Sequence, residues 1–163
     1  GIMTGGAIQN NTGHRGAAVN IYSDDRDKRA IFTLEDDGLI TRNTGISANG
    51  NEAGGAVFVE DNAAFHMIGG TVSANKASKG GGICIVDSAL QRGTAEYGTE
   101  FLMDGGVISG NRAGTGGGIY SFSNGSFLRS GKIINNTATY SGGGLYSEGK
   151  ALMVTALPIY IIP

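Results

Sequence analysis

The chain is poor in the residues that build disulfide frameworks and metal clusters. It has one cysteine, Cys84, two prolines and no tryptophan among 163 residues. A single thiol excludes an intrachain disulfide and a cysteine-based metal cluster. Charged residues make up 16% of the chain, and the net charge is −2 with mixed signs, so composition gives no indication of a nucleic-acid surface, which requires a basic face.

Apolar residues are scattered except in the last stretch, residues 151–163. This stretch is too short for a membrane helix, and Pro158 interrupts it. We predict one repeat domain, residues 1–150, and a C-terminal tail, residues 151–163, that either caps the last repeat or is donated to a neighbouring chain. Because the chain starts inside a repeat and shows no signal peptide, we interpret it as a fragment of a longer protein.

Glycine, by contrast, is abundant at 30 residues, and it recurs at fixed places in a fivefold repeat. The clearest copy, residues 101–121, contains Phe-x-Met, Gly-Gly-x-Ile, Asn and Gly-Gly-Gly-Ile in that order. From Val57 to Ile83 the repeat spans 26 residues, and from Ile83 to Ile119 it spans 36, so insertions lengthen a basic unit of 26. A repeat of this length predicts a solenoid.

Each unit holds three short apolar segments separated by glycine, asparagine or serine. Alternation such as Phe101-x-Met103 has the period of two that is typical of strands. We therefore predict an all-β fold: a single-stranded, right-handed parallel β-helix of about five coils, with three short strands per coil. Equivalent residues would then stack about 4.8 Å apart.

Stacking of equivalent positions predicts ladders of like side chains. The predicted inward aromatic ladder is Phe32, Phe65, Phe101 and Phe127, and beside it lie Leu34, Met67, Met103 and Arg129. Two inward aliphatic ladders are Ile8, Ile40, Val72, Ile108 and Ile134, and Val19, Val57, Ile83, Ile119 and Leu145. A corner ladder that shares amide hydrogen bonds and tolerates left-handed backbone angles is Asn11, Asn43, Asn75, Asn111 and Asn136. The glycine runs allow tight corners or close approach of one coil to the next.

These repeat units resemble the right-handed parallel β-helix repeats of secreted and surface proteins of bacteria, the pectin-lyase-like superfamily. The element Gly5-Gly6-Ala7-Ile8 is similar to the Gly-Gly-Ala-Ile half of the chlamydial polymorphic membrane protein repeat, and other units look like those of large adhesin-like proteins. The resemblance covers roughly residues 3–147. It implies an extracellular or cell-surface location and a role in adhesion or carbohydrate contact.

Two regions are candidate binding sites for a glycan or protein ligand. The first is a row on the third strand, where the outward positions include Phe58, Tyr120 and Tyr146 beside Cys84. Exposed aromatic rings there would form a platform for sugars or a partner protein. The alternative is that these aromatic residues only favour strands and cover neighbouring backbone.

The second candidate region is a pair of insertions after the third strand, in the first and third coils. They leave the same edge of the predicted coils, so we expect them to stand side by side as binding loops, or else to be solvated loops. Their candidate contact residues are Tyr22, Arg26, Arg29, Arg92 and Tyr97.

Calcium is the cofactor that the resemblance suggests, because polyuronate lyases of this fold use it. Asp24, Asp25 and Asp27 offer hard oxygen ligands, but their spacing does not match an EF-hand loop. They remain weak candidates, and we predict no metal or other cofactor.

No catalytic constellation is recognisable in the sequence. His14 and His66 belong to different elements, and Ser, His and Asp do not form a nucleophilic set. We therefore favour a non-enzymatic adhesin-like module with a binding or structural role. The alternatives are a carbohydrate-active enzyme fragment, either a polysaccharide lyase or a hydrolase, and a self-assembling unit that associates end to end.

Overall fold

The computed structural model describes residues 1–25, 27–46, 54–88 and 98–148, and the backbone of two strands in the tail. In chain order the strands are β1 (Ile2–Met3), β2 (Ala7–Gln9), β3 (Thr12–Gly13), β4 (Val19–Ser23), β5 (Ala30–Leu34), β6 (Leu39–Thr41), β7 (Thr44–Gly45), β8 (Val57–Asp61), β9 (Ala63–Met67), β10 (Thr71–Ser73), β11 (Ile83–Val86), β12 (Glu100–Ser109), β13 (Arg112–Thr115), β14 (Ile119–Phe122), β15 (Gly125–Ile134), β16 (Thr137–Ser141), β17 (Leu145–Ser147), β18 (Leu152–Val154) and β19 (Ile159–Ile162).

Equivalent strands of successive repeats lie beside one another, and all of their pairings are parallel. The first two strands of each repeat form one ten-stranded sheet, because β12 and β15 are long enough to pair with both rows. The third strands form a five-stranded sheet in the order β17-β14-β11-β8-β4. The corner segments between them form two small sheets, β3 with β7 and β13 with β16. The prediction of an all-β fold with parallel strands is confirmed.

The tail extends the large sheet of its own chain. Strand β18 pairs with the first half of β15, and β19 pairs with the second half, both in parallel. Ile161 lies beside Ile133 in this register, so the tail repeats the strand order of the units that precede it.

The core forms between the large sheet and the five-stranded sheet. The aliphatic ladder from Val19 to Leu145 has the predicted register, and its central members are fully buried. The rings of Phe32, Phe65 and Phe101 stack, with centroids 6.0 and 5.6 Å apart. Burying such side chains is the main favourable term in folding.

In β15 three of the predicted inward residues are wrong. Phe101 pairs with Ser126, Met103 with Leu128, and Ile108 with Ile133, so Phe127, Arg129 and Ile134 do not join the inward ladders. Shifting a strand by one residue moves every side chain to its other face. The observed register buries Leu128 and Ile133 completely and leaves the charged Arg129 exposed. The predicted register would have buried that guanidinium without a partner.

The asparagine ladder is confirmed, and it links all five repeats. In each of Asn11, Asn43, Asn75 and Asn111, the backbone N–H and the side-chain Nδ2 both donate to the Oδ1 of the next ladder asparagine, at 2.8–3.1 Å. The Nδ2 groups also donate to carbonyls of the preceding strands, for example from Asn75 to Ile40 at 3.1 Å. The amides of Asn43, Asn75, Asn111 and Asn136 are buried, and hydrogen bonds along the ladder satisfy them.

The left-handed backbone angles fall one residue before the ladder, not on it. The residues concerned are Asn10, Arg42, Ala74, Gly110 and Asn135, with φ between 54° and 63°. The glycine runs have the predicted role of close approach. A Cβ on Gly81 would lie 2.5 Å from the carbonyl oxygen of Gly117 in the next repeat, which is too close for any side chain.

We predict that Asn75→Ala lowers the free energy of unfolding by about 3 kcal/mol, because it leaves several buried donors and acceptors without partners. Asn11→Ala is the matched control, since Asn11 is exposed and has a ladder neighbour on one side only. Its cost should be about 1 kcal/mol. Equal losses in urea denaturation of the two variants would contradict the ladder's role.

The register of β15 has its own test. Leu128→Ala should cost about 2–5 kcal/mol, because it removes a fully buried side chain from the core. Arg129→Ala should cost less than about 1 kcal/mol, because Arg129 makes an exposed ion pair with Asp104. If chemical denaturation showed Arg129→Ala to be less stable than Leu128→Ala, the result would support the register predicted from the repeat instead.

Candidate functional site

A cavity of about 260 Å³ opens where the ends of the two long insertions meet the large sheet. Its lining residues come from both insertions and from the starts of β12 and β15. They are Arg29, Asp87, Gly98, Thr99, Glu100, Asn124, Gly125 and Phe127. The lining thus combines one aromatic ring with polar groups of the kind that orient a bound ligand.

Glu100 is a charged group of this cavity whose carboxylate contacts two side chains. Its carboxylate lies between two bases: Arg29 Nη2 is 3.2 Å from Oε2, and His66 Nε2 is 2.9 Å from Oε1. His66 stands on the outer face of the large sheet, where β9 pairs with β12. The two contacts fix the orientation of the carboxylate, and at the same time they occupy both of its oxygens.

Arg29 also joins the two insertions. Its Nη2 donates to the carbonyl oxygen of Gly98 at 2.6 Å, and Gly98 ends the second insertion. At these residues the prediction that the insertions stand side by side is confirmed. The other predicted contact residues are Tyr22, Arg26, Arg92 and Tyr97. Tyr22 lies on β4, and the remaining three lie outside the described residues.

The base of the second insertion is tied to β8 by its own hydrogen bonds. Asp61 adopts φ 54° at the end of β8, and its carboxylate accepts hydrogen bonds from the backbone and hydroxyl of Ser88. Thr99 Oγ1 donates to the carbonyl oxygen of Asp61 at 2.5 Å. The described ends of the loop are therefore held in place, which gives the cavity a fixed wall.

Phe127 is the aromatic wall of the cavity, and sequence reasoning missed it. The one-residue shift in β15 turns its ring away from the core and pairs it with Leu102 on the outer row of the large sheet. The sequence contains one indication of this shift. Leu128, which follows Phe127, is apolar and therefore suits the interior better than Arg129 does. The shift therefore creates an apolar surface at the cavity.

The predicted aromatic platform on the third strand is wrong in its exposure, although its register is right. Phe58, Cys84, Tyr120 and Tyr146 stand in one row across the five-stranded sheet. However, Phe58 and Tyr120 are only 5% and 4% exposed. Together with Cys84 they form a second apolar cluster, against which Val86, Phe122 and Tyr146 pack.

Neighbouring side chains account for this burial. The guanidinium of Arg15 lies 5.9 Å from the Phe58 ring centre, and the Lys79 ammonium lies 5.0 Å from that of Tyr120. The rings of Tyr120 and Tyr146 stack at 5.5 Å, and the Tyr120 hydroxyl donates to Glu148 at 3.1 Å. Aromatic rings on the outer face thus cover the sheet and are themselves covered by cations.

Burial also changes the ionisation of this cluster. Removal from water raises the pKa of the Cys84 thiol to about 12, and only partial compensation comes from Lys79. Burial, and then the Glu148 carboxylate, raise the pKa of Tyr120. Cys84 is consequently a protonated, sequestered thiol at neutral pH.

The weak calcium candidates do not converge on a common point. The Asp25 carboxylate accepts the backbone N–H of Asp27 at 2.9 Å and lies 3.6 Å from Lys28 Nζ, both within the insertion itself. Across the described parts of the chain, no group of three or more His, Cys, Asp or Glu side chains could hold a metal ion.

Tyr22 is 49% exposed and pairs in register with Glu60, but it does not line the cavity. Of the two predicted loop residues that the structure describes, Arg29 lines the cavity and Tyr22 does not.

We predict that Cys84 reacts with a thiol reagent such as DTNB only after unfolding, since its folded environment keeps it protonated and covered. The unfolded thiol ionises above its ordinary pKa of 9.0, whereas the folded one stays protonated up to about 12. Folding stability from this group is therefore complete below pH 9 and is lost as the pH rises from 9 towards 12. The urea midpoint should fall more steeply over pH 9–11 in the parent chain than in Cys84→Ala. Rapid labelling of the native chain at pH 8 would contradict this view.

Comparison with known proteins assigns neither a family nor a function to this chain. The chain matches no protein-family model, no curated protein and no solved structure. Within the described residues, the structure contains no helix of the length and hydrophobicity required to cross a membrane.

Proposed function

We propose that this chain is a right-handed parallel β-helix module that binds a glycan or protein ligand at the cavity between its insertions. The β-helix is supported by the parallel pairing of like strands in successive repeats and by the ladder that runs through Asn43, Asn75 and Asn111. The right-handed sense follows from the strong preference of parallel crossover connections for that hand.

The location that we propose is the bacterial cell surface or the extracellular space, in an adhesin-like role. This part of the proposal depends on the likeness of the repeat units to those of secreted β-helix proteins. A solenoid suits such a role because its repeats hold loops at fixed spacing along one edge.

The cavity carries the binding part of the proposal. Phe127 supplies an aromatic face on which the apolar side of a sugar ring could stack, and the Asn124 amide lines the same cavity. Arg29 and Glu100 are already oriented by their mutual contact, so binding would require little further ordering of these side chains.

A carbohydrate-active enzyme is the second candidate, and one observation favours it. Two carboxylates, Asp87 and Glu100, line the same cavity, and glycoside hydrolysis commonly uses such a pair. Glu100 already has partners on both of its oxygens, so binding without turnover remains our principal proposal.

The deciding experiment is a screen of the purified chain on an array of neutral glycans, anionic glycans and matrix proteins. We expect binding that falls at least tenfold in Phe127→Ala and is preserved in Tyr22→Ala, an exposed aromatic residue outside the cavity. Unfolding midpoints of both variants will show whether Phe127→Ala stays folded. No binding by the parent chain, or an equal loss in Tyr22→Ala, would contradict the proposed site.

The enzymatic alternative has a separate test. The array ligands that bind are incubated with the parent chain and with Asp87→Asn and Glu100→Gln, and released reducing ends or unsaturated products are measured. Turnover that either substitution abolishes would replace the binding proposal with a catalytic one. Binding without turnover would support the module as proposed.

A further inference from the structure

We propose that a second surface of this chain binds a linear anionic polysaccharide. This surface, here called the basic strip, consists of Arg42, Lys76 and Arg112. It lies on the corner segments that follow the second strand of each repeat, away from the cavity residues.

The strip owes its regularity to strand register. Lys76 and Arg112 are direct partners on neighbouring segments, and the same row continues through threonines on both sides. Its members in order are Thr12, Thr44, Lys76, Arg112 and Thr137. Adjacent members are therefore about 4.8 Å apart along the direction in which the repeats succeed one another. A polymer lying along that direction meets a hydroxyl or a cation at every step.

The cations of the strip are exposed and available. The side chains of Lys76, Arg112 and Arg42 are all exposed to solvent. None of them takes part in an ion pair among the described residues. Arg42 instead donates to the side chain of Gln9 at 2.6 Å, which holds its guanidinium on this surface. By contrast, the cations at the cavity and at the turns of the large sheet are paired with carboxylates, as Arg29 is with Glu100 and Arg129 with Asp104.

Charge is segregated by position in the repeat. The five equivalent corner segments, residues 8–15, 40–46, 72–79, 108–115 and 133–141, contain no Asp or Glu, and the first four of them contain Lys or Arg. All 14 carboxylates of the chain lie elsewhere, and Glu52, in the insertion that follows one of these segments, lies outside the described residues. The charged side chains that the corner segments themselves contribute are therefore all cationic, although the net charge of the chain is −2.

An exposed aromatic ring stands on β16, the strand that pairs with the Arg112 strand β13. Tyr140 is 82% exposed, the most exposed of the large apolar side chains described. Its ring lies over Gly114 of the neighbouring strand, where an added Cβ would be 3.4 Å from Cδ2. An exposed ring beside cations and hydroxyls can stack on a sugar while the cations pair with its sulfate or carboxylate groups.

These features favour a polysaccharide over a nucleic acid. Nucleic-acid binding draws on many phosphate contacts, and single-strand binding uses successive aromatic rings along the groove. Lys76 and Arg112 are adjacent in a row that otherwise consists of threonines, and Arg42 lies two residues before Thr44 of that row. The chain as a whole has a net negative charge. That combination suits a ligand that carries both hydroxyls and anionic groups.

The test measures binding of a fluorescently labelled heparin octasaccharide, with an uncharged maltooligosaccharide and a decathymidylate for comparison. We expect the parent chain to bind heparin, with an affinity that falls as salt increases. The double variant Lys76→Gln/Arg112→Gln should lose at least tenfold in affinity, the single variant Lys76→Gln about threefold, and Tyr140→Ala several-fold. The matched control is Arg129→Gln/Lys132→Gln, which removes the same net charge from the large sheet and should change affinity less than twofold.

Three results would overturn the proposal: no heparin binding by the parent chain, an equal loss in the control pair, or binding of decathymidylate as tight as that of heparin. All of the substituted side chains are exposed, so unfolding midpoints should be unchanged, and a midpoint check verifies this for each variant. Failure here is separable from failure at the cavity. Phe127→Ala should leave heparin binding intact, and Lys76→Gln/Arg112→Gln should leave the binding of cavity ligands intact.

Discussion

The register between successive repeats is the constraint on which the rest of this structure depends, and buried amide hydrogen bonds maintain it. Each ladder asparagine uses its backbone N–H and its side chain to hold the next repeat, and in Asn43, Asn75 and Asn111 the amide is almost completely removed from water. A slip of one repeat against another would leave those donors and acceptors without partners in the interior. The ladder therefore selects one alignment among the many that such similar strands would otherwise permit.

The register between repeats fixes which residues align with one another on both faces of each sheet. Residues that alternate with the core ladders are placed in outer rows at the same spacing, and each row has a different chemical character. On the five-stranded sheet the outer row becomes a second apolar cluster around Phe58 and Tyr120. On the large sheet it carries His66 and Phe127 towards the cavity, and at the corners it carries the basic strip.

The fifth repeat shows how closely the composition of the cavity depends on this alignment. Its sequence offers two apolar choices, Phe127 and Leu128, and the repeat pattern favours the first because phenylalanine occupies that place in three other units. The structure takes the second, since it buries Leu128 and Ile133 and keeps Arg129 in solvent. Ser126 then occupies the inward place of phenylalanine, where its hydroxyl lies 2.7 Å from that of Ser121. The aromatic wall of the cavity results from this change.

From the sequence alone, the repeat determined the strand class, the parallel pairing, the asparagine ladder and all four inward ladders up to the fourth repeat. The ladder from Val19 to Leu145 continues as predicted into the fifth. These follow from local periodicity, because equivalent residues in a stacked repeat must meet one another. The tertiary structure alone decided which outer rows are exposed, since the burial of Phe58 and Tyr120 depends on Arg15, Lys79 and Glu148 from other segments. It likewise decided the contact of Arg29 with Glu100, and the alignment of Lys76 with Arg112, because both join residues from different repeats whose insertions differ in length.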